Sequence, residues 1–214
     1  MIKNKLGITN SVELAKAEEE ISKKNALQMF ESGLLDNYPA GTIETLCKIH
    51  FELFDDIYDF AGKIRTVNLS KGHFRFAPVL YLNEALINIE KMPQNTFDDI
   101  IAKYVELNVA HPFREGNGRS GRIWLDHILK NELSLVIDWS KIEKEDYLLA
   151  MERSPVRDTE IKELLKSALT DKINDRLVFI KGIDKSYEYE GYYSYSLISE
   201  DNDEPIIVPD NSRK

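Results

Sequence analysis

Apolar positions recur at spacings of three and four along most of the chain, the period of a helix with one buried face. From Val12 to Ser32 the pattern runs through Leu14, Ala17, Ile21, Leu27 and Phe30 and stops near Gly33. A second segment, "GTIETLCKIHFELFDDIYDFAG", offers Thr42 followed by Thr45 as a start signal. It then places Leu46, Ile49, Leu53, Ile57 and Phe60 on one stripe and ends at Gly62. "LNEALINIEKM" predicts a short helix stopped by Pro93. "TFDDIIAKYVELNVA" opens with Thr96 and Asp99 in capping-box spacing and buries Ile100, Tyr104 and Leu107, with Val105 on the flank. "RIWLDHILKNEL", "KEDYLLAMERS" and "DTEIKELLKSALTDKI" complete a mainly helical reading. The predicted fold class is mainly α.

One segment breaks this period. "KIRTVNLSKGHFRFAPVLYL" alternates β-branched and aromatic residues with polar ones around "SKGH", Ser70 to His73, and predicts a β-hairpin. A lone hairpin is marginal, so it must lean on the helices. Two roles stay open for it: a cover over the core, or a docking edge for a substrate. After Ile180 the chain turns tyrosine-rich, then acidic, then apolar with prolines. Residues 183–191 predict a short terminal helix closed by Gly191 at its C′ position, and residues 196–214 an acidic, poorly ordered tail. No repeat or low-complexity linker divides the sequence, so residues 1–195 read as one domain.

At 214 residues, folding buries roughly 70% of the unfolded chain's surface, and no covalent staple is required. The formal net charge of −9 argues against nucleic acid as the main partner, since such binding rests on a basic surface. Cys47 is the single cysteine, which excludes internal disulfides and cysteine-rich zinc sites. No apolar run approaches a membrane span, and "MIKNKLGITNSVELAK" lacks the apolar core of a signal peptide. The expectation is a cytoplasmic protein without a membrane partner.

The chemistry concentrates in "HPFREGNGRSGR", His111 to Arg122. Pro112 disfavours the α conformation at His111, so the preceding helix should end there with the imidazole at the mouth of a loop. Phe113 reads as a core anchor. Gly116 and Gly118 let successive N–H groups converge into an anion nest that opens into a helix starting near Arg119. Arg119 and Arg122, three apart, share a helix face. Two guanidiniums and a backbone cradle suit a polyphosphate. Glu115 would repel such a ligand unless it holds a divalent cation, and Mg²⁺ commonly needs only one or two carboxylates plus substrate oxygens. His111, with an ordinary pKa of about 6.5, suits a general base, a role worth about 10²–10⁴ in rate.

Rival readings fit less well. Gly116, Gly118 and Gly121 match G-x-G-x-x-G with Asp138 downstream, but a dinucleotide site needs a strand before the first glycine. The Walker pattern is absent. His111 and His127 lack helical pairing with other ligands, and His127 reads as core-facing.

The segment resembles the signature of the Fic family, His-x-Phe-x-Asp/Glu-Gly-Asn-Gly-Arg-x-x-Arg, at every defined position. The resemblance implies a Fic-type helical bundle with a β-hairpin flap, extending from about Val12 to Gly191. It implies transfer of AMP from ATP to a Tyr, Thr or Ser hydroxyl of a target protein, with Tyr187, Tyr189, Tyr192, Tyr193 and Tyr195 as candidate sites of self-modification. His111 would be the base, Glu115 the Mg²⁺ ligand, and Gly116, Asn117 and Gly118 the phosphate cradle. Arg119 and Arg122 would hold the outer phosphates, and Asn108, Ser120, Gly121 and Lys71 would border the nucleotide. The flap, residues 66–78, would align the target's backbone by β-augmentation. Relatives that transfer a terminal phosphate carry a lysine near position 118, so Gly118 favours adenylyl transfer. "SYEYEG" matches the family's inhibitory motif, with Ser186, Glu190 and Gly191, in the position of a C-terminal inhibitory helix. The plain alternative makes Glu190 a solvated helix-end residue. Relatives with this tail often self-associate, so homo-oligomers are compatible with the resemblance. Three functions are compatible with these residues: an autoinhibited AMP transferase, an enzyme that removes AMP with Glu190 positioning water, and a toxin-like module that sequesters a partner.

Overall fold

A computed structural model describes residues 2–71, 74–193 and 195–197. Its helices are α1 (Ser11–Glu31), α2 (Ile43–Phe54), α3 (Val79–Lys91), α4 (Phe97–Ala110), α5 (Asn117–Leu133), α6 (Lys144–Arg153), α7 (Thr159–Ser167) and α8 (Arg176–Tyr189). Short 3₁₀ turns occupy Leu34–Asn37 and Trp139–Lys141. Strand β1 (Ser70–Lys71) pairs antiparallel with β2 (Phe74–Arg75), and β3 (Val136–Ile137) with β4 (Leu169–Thr170).

The helix starts follow from local chemistry. Asn10 accepts the N–H groups of Val12 and Glu13, Thr42 that of Thr45, and Asp175 that of Val178. Thr96 and Asp99 cap α4 reciprocally, as their spacing predicts. Helix α5 is buried almost all round, with Ile123, Trp124, Leu125, Ile128 and Leu129 in the core, the mark of a central helix. It packs on α2, α4 and α8, while α1 crosses α2 and α8. The indole of Trp124 donates to the Thr42 carbonyl (2.9 Å), and the hydroxyls of Tyr104 and Tyr147 meet at 2.6 Å, tying α5 to α2 and α4 to α6.

Several boundaries differ from expectation. Helix α2 stops at Phe54, whose carbonyl accepts from both Ile57 (2.9 Å) and Tyr58 (2.8 Å) as the chain tightens into turns. Asp55, Asp56 and Asp59 would oppose the negative end of a longer helix. Ile57, Tyr58 and Ala61 are buried all the same. The hairpin is shorter than predicted, because "VLYL" forms the first turn of α3. Pro78 stands at its N-cap, Asn68 Oδ1 accepts the Val79 N–H (2.9 Å), and Leu82, Leu86 and Ile89 reach the core. Helix α7 ends at Ser167, and Leu169–Thr170 pairs with a strand too short to leave a pattern. Helix α8 begins at Arg176 rather than near Ile183. Of the predicted tail, Leu197 is buried and donates its N–H to Asp184 (3.2 Å); residues 198–214 lie outside the described residues.

Candidate active site

His111 ends α4 in the left-handed region, at φ 50° and ψ 64°. Pro112 keeps it out of the helix, and an L-residue held at positive φ carries strain that its surroundings must maintain. Arg65, buried at 5% exposure, supplies that restraint. Its Nε donates to the His111 carbonyl (2.7 Å), its Nη2 to Ala110 (3.1 Å) and to Ala77, and its Nη1 to Val67 (2.7 Å). Its own N–H donates to the Pro112 carbonyl (2.8 Å). One guanidinium thus joins the end of α4 to both roots of the hairpin. The Phe76 ring stacks on the His111 imidazole, with centroids 3.7 Å apart.

The loop after Pro112 is fixed from inside. Asn117 accepts from the Phe113 N–H and donates to the Phe113 carbonyl, both at 2.8 Å, which closes the turn. Phe113 is fully buried and stacks on His50 at 3.9 Å. His50 Nδ1 accepts the Gly62 N–H (2.9 Å), so its Nε2–H donates to the Glu115 carbonyl (2.9 Å). Burial lowers the His50 pKa to about 4, so the ring is neutral at physiological pH. Gly116, at φ 77°, caps α5, and a Cβ there would fall 2.4 Å from the Phe54 ring. That turn admits glycine alone.

Helix α5 therefore opens at Asn117 with first-turn N–H groups that have no acceptor within the helix. A carboxylate from α8 stands there. Glu190 Oε1 lies 2.8 Å from Arg122 Nη2, and a Cβ built on Gly118 would come within 2.1 Å of the same oxygen. Arg122 also donates from Nε to Ser186 Oγ (2.6 Å) and from Nη2 to the Ser186 carbonyl (2.9 Å). Burial disfavours its charge, but the Tyr147 and Glu190 side chains overcompensate and hold its pKa above the ordinary value. Gly191 follows at φ 89°, the left-handed closure predicted for that position.

Arg119 points elsewhere. At 1% exposure it pairs with Glu18 of α1, and its Nη2 lies 3.1 Å from Glu115 Oε1. Phe54 and Tyr192 lie 4.8 Å from the guanidinium carbon and Tyr187 lies 5.3 Å from it. Glu18 also accepts from the hydroxyls of Tyr58 and Tyr192, the latter at 2.7 Å. Burial pushes the Glu18 pKa up, but Arg119 and these hydroxyls outweigh it and hold the carboxyl below the usual range. The expectation that both arginines face one anion is corrected: the first is built into the wall between α1 and α8. Glu115 keeps 42% of its side chain exposed and accepts at Oε1 from the Gly116 N–H (3.1 Å) and Arg119.

Other predicted positions also separate. Ser120 is fully buried and donates to the Gly116 carbonyl (2.8 Å), and Gly121 faces Tyr104 of α4. Both serve packing rather than the mouth of the site. Asn108 donates to the Tyr104 carbonyl one turn back (3.1 Å). Lys71 lies on β1, but its side chain, like Gly72 and His73, falls outside the described residues. His127 is buried, as expected, with Nε2 on the Leu35 carbonyl (3.0 Å). Sequence reasoning missed Arg65, His50 and Glu18. The only signal was a charged or titratable residue at a position that the helical period or hairpin pattern turns inward.

Residues 40–129 match the sequence model of the Fic/DOC family, a span that holds the whole His111–Arg122 segment. This span is a Fic domain. Among curated proteins, the chain is similar to the protein adenylyltransferase VbhT of Bartonella schoenbuchensis, 28% identical over 88% of this chain and 44% of VbhT. The chain thus spans less than half of that relative. It is 27% identical to the probable protein adenylyltransferase Fic of Salmonella typhimurium, over 80% of this chain and 88% of that protein. The BepC protein of Bartonella tribocorum, solved with bound AMPPNP, shares the fold. The TM-score is 0.65 at 20% identity, over 78% of this chain and 91% of that one. A Fic domain from Bartonella quintana with bound ADP gives a TM-score of 0.66 at 21% identity, over 78% and 90%.

Proposed function

We propose that this Fic domain is a protein adenylyltransferase that moves AMP from ATP to a hydroxyl side chain of a target protein, restrained by its own Glu190. The observation that carries the reading is the carboxylate of Glu190 on Arg122, over Gly118, at the open N-terminus of α5. That place combines free N–H groups, a positive helix end and a guanidinium, so it suits an anion. A tethered carboxylate acts there at an effective concentration in the millimolar range or above and competes with a phosphate group.

In the released state the imidazole of His111 takes the proton of the target hydroxyl. The oxygen attacks the α-phosphorus, its new bond forming as the bond to the bridging oxygen breaks, and pyrophosphate leaves. The α5 N-terminus and Arg122 hold the departing phosphates, while Arg119 keeps Glu115 and the loop in place. Glu115 fits a Mg²⁺ site, because its carboxylate is half-exposed and its Oε2 accepts no bond among the described residues. Among those residues no three His, Cys, Asp or Glu side chains gather to hold a metal, so the cation would rely on ATP oxygens. Mg²⁺ supplies neutralisation of phosphate charge. The target protein would dock along residues 66–78, and residues 1–195, with α8 as the restraining element, would act as one unit in the cytoplasm. Among the described residues no helix is long and apolar enough to cross a membrane.

The same carboxylate supports a second reading, removal of AMP. Glu190 keeps 30% of its side chain exposed and could orient a water at the site. Mass spectrometry of cell extract incubated with ATP and Glu190→Gly tests the first reading: AMP on extract proteins that disappears with His111→Ala supports it. A Glu190→Gly chain that adds nothing, while the unaltered chain strips AMP from a pre-modified extract, replaces it with the second.

A further inference from the structure

Behind α5, away from His111, the end of α1, β3 and α8 line a half-open cavity of about 270 Å³. Most of its lining is apolar, including Phe30, Ile123, Ile137 and Phe179. Asp126 of α5 stands in this lining. Its Oδ1 accepts the Ile137 N–H (2.9 Å) and its Oδ2 the indole N–H of Trp139 (2.7 Å), and no cation pairs with it among the described residues. Burial pushes its pKa up to about 7. A carboxylate facing an apolar cavity without a counter-charge is costly.

The next residue on α5 also leaves one atom unpaired. His127 is 4% exposed and lines the same cavity. Its Nε2–H donates to the Leu35 carbonyl, and burial lowers its pKa, so Nδ1 carries a lone pair. That atom is buried with no partner among the described residues. Of the other ionic groups in the lining, Lys130 pairs with Asp36 (2.9 Å), Glu31 with Arg176 (2.8 Å) and Arg122 with Glu190 (2.8 Å), Asp175 caps α8, and Lys172 is paired with no carboxylate among the described residues.

We propose that this cavity binds a small arylalkylamine, its ammonium against Asp126 and its ring in the apolar part of the space. The cation supplies the charge that Asp126 lacks, and its N–H groups donate to the carboxylate oxygens. The size agrees: a dry cavity of roughly 150 Å³ accepts benzene, so the larger space takes a ring with a short aminoalkyl arm. Gly182, Ile183 and Ser186 of α8 form one wall, so an occupant bears on the Arg122–Ser186 contact. Binding itself does not depend on the adenylyltransferase reading.

The chain has two tryptophans, Trp124 and Trp139, and of these Trp139 lines the cavity. The indole N–H signals of the ¹⁵N-labelled full chain therefore report the site without any activity assay. Titration with 2-phenylethylamine should shift the Trp139 signal saturably and leave Trp124 in place, while phenylacetate shifts neither. Asp126→Asn should weaken binding at least about tenfold, the value of one charge-assisted contact. Val178→Phe, which fills the space and leaves Asp126 intact, should abolish it. No saturable shift with the amine, equal binding of phenylacetate, or unchanged affinity in Asp126→Asn overturns the proposal.

Discussion

Glu190 and Arg122 meet at 2.8 Å, and the same guanidinium holds the hydroxyl and carbonyl of Ser186 one turn earlier on α8. The tail is thus fastened to α5 by both the acid and the serine of one motif. The motif's spacing of four places them on one face of α8. Arg122 is almost wholly buried, so the contact is little screened by water or salt. Loss of the Glu190 carboxylate should expose the α5 N-terminus to ATP phosphates and raise ATP affinity by about tenfold or more, given a competitor at millimolar effective concentration. Calorimetric titration of ATP into Glu190→Gly and the unaltered chain measures this.

Glu18 is the partner that keeps Arg119 in the wall. Its replacement by Ala leaves a buried guanidinium facing Tyr58 and Tyr192 with only the half-exposed Glu115 for charge. Removing one member of such a pair costs about 3–5 kcal/mol. Urea unfolding of Glu18→Ala should show that loss, and Tyr192→Phe a loss of about 1 kcal/mol for one hydrogen bond. A Glu18→Ala chain as stable as the original contradicts the structural role given to Arg119.

Arg65 acts through backbone carbonyls. Arg65→Lys keeps the charge but cannot reach His111, Ala110, Ala77 and Val67 together. It should lower AMP transfer by about tenfold or more in a Glu190→Gly background, the scale of a small misplacement of catalytic groups. ATP affinity should change little, since Arg65 lies on the His111 side. Equal losses in ATP binding and transfer indicate general disruption instead.

His50 supplies a pH test. Its folded pKa of about 4 lies below the ordinary 6.5, so the unfolded chain binds a proton between these values and the folded chain does not. Its contribution is complete above pH 6.5 and is lost as pH falls toward 4, by about 3 kcal/mol in all. Denaturation of the unaltered chain and His50→Gln at pH 7 and 4.5 should show the steeper loss in the unaltered chain. Parallel losses would remove His50 from this account.

The central helices and the His111–Arg122 segment were legible because their signals are local: apolar period, capping residues, and glycines at fixed offsets. Gly116 and Gly191 sit where those offsets put them, both at positive φ. The supports of the site were not legible. Arg65 reaches His111, His50 reaches Glu115 and Arg119 reaches Glu18 across 46, 65 and 101 positions. No spacing rule links residues that far apart. Arg119 shows the limit of position on a helix face: three residues from Arg122, it still turns toward α1, because Glu18 and the aromatic rings there offer it a better-enclosed partner.

The most direct measurement uses ATP labelled at the α-phosphate and, separately, at the γ-phosphate, with Mg²⁺ and cell extract. The unaltered chain, Glu190→Gly, and Glu190→Gly with His111→Ala are compared. Protein-bound label is expected from the α position alone, strong in Glu190→Gly, weak in the unaltered chain and absent from the double variant. Label from the γ position, or transfer as strong in the unaltered chain as in Glu190→Gly, contradicts AMP transfer restrained by Glu190.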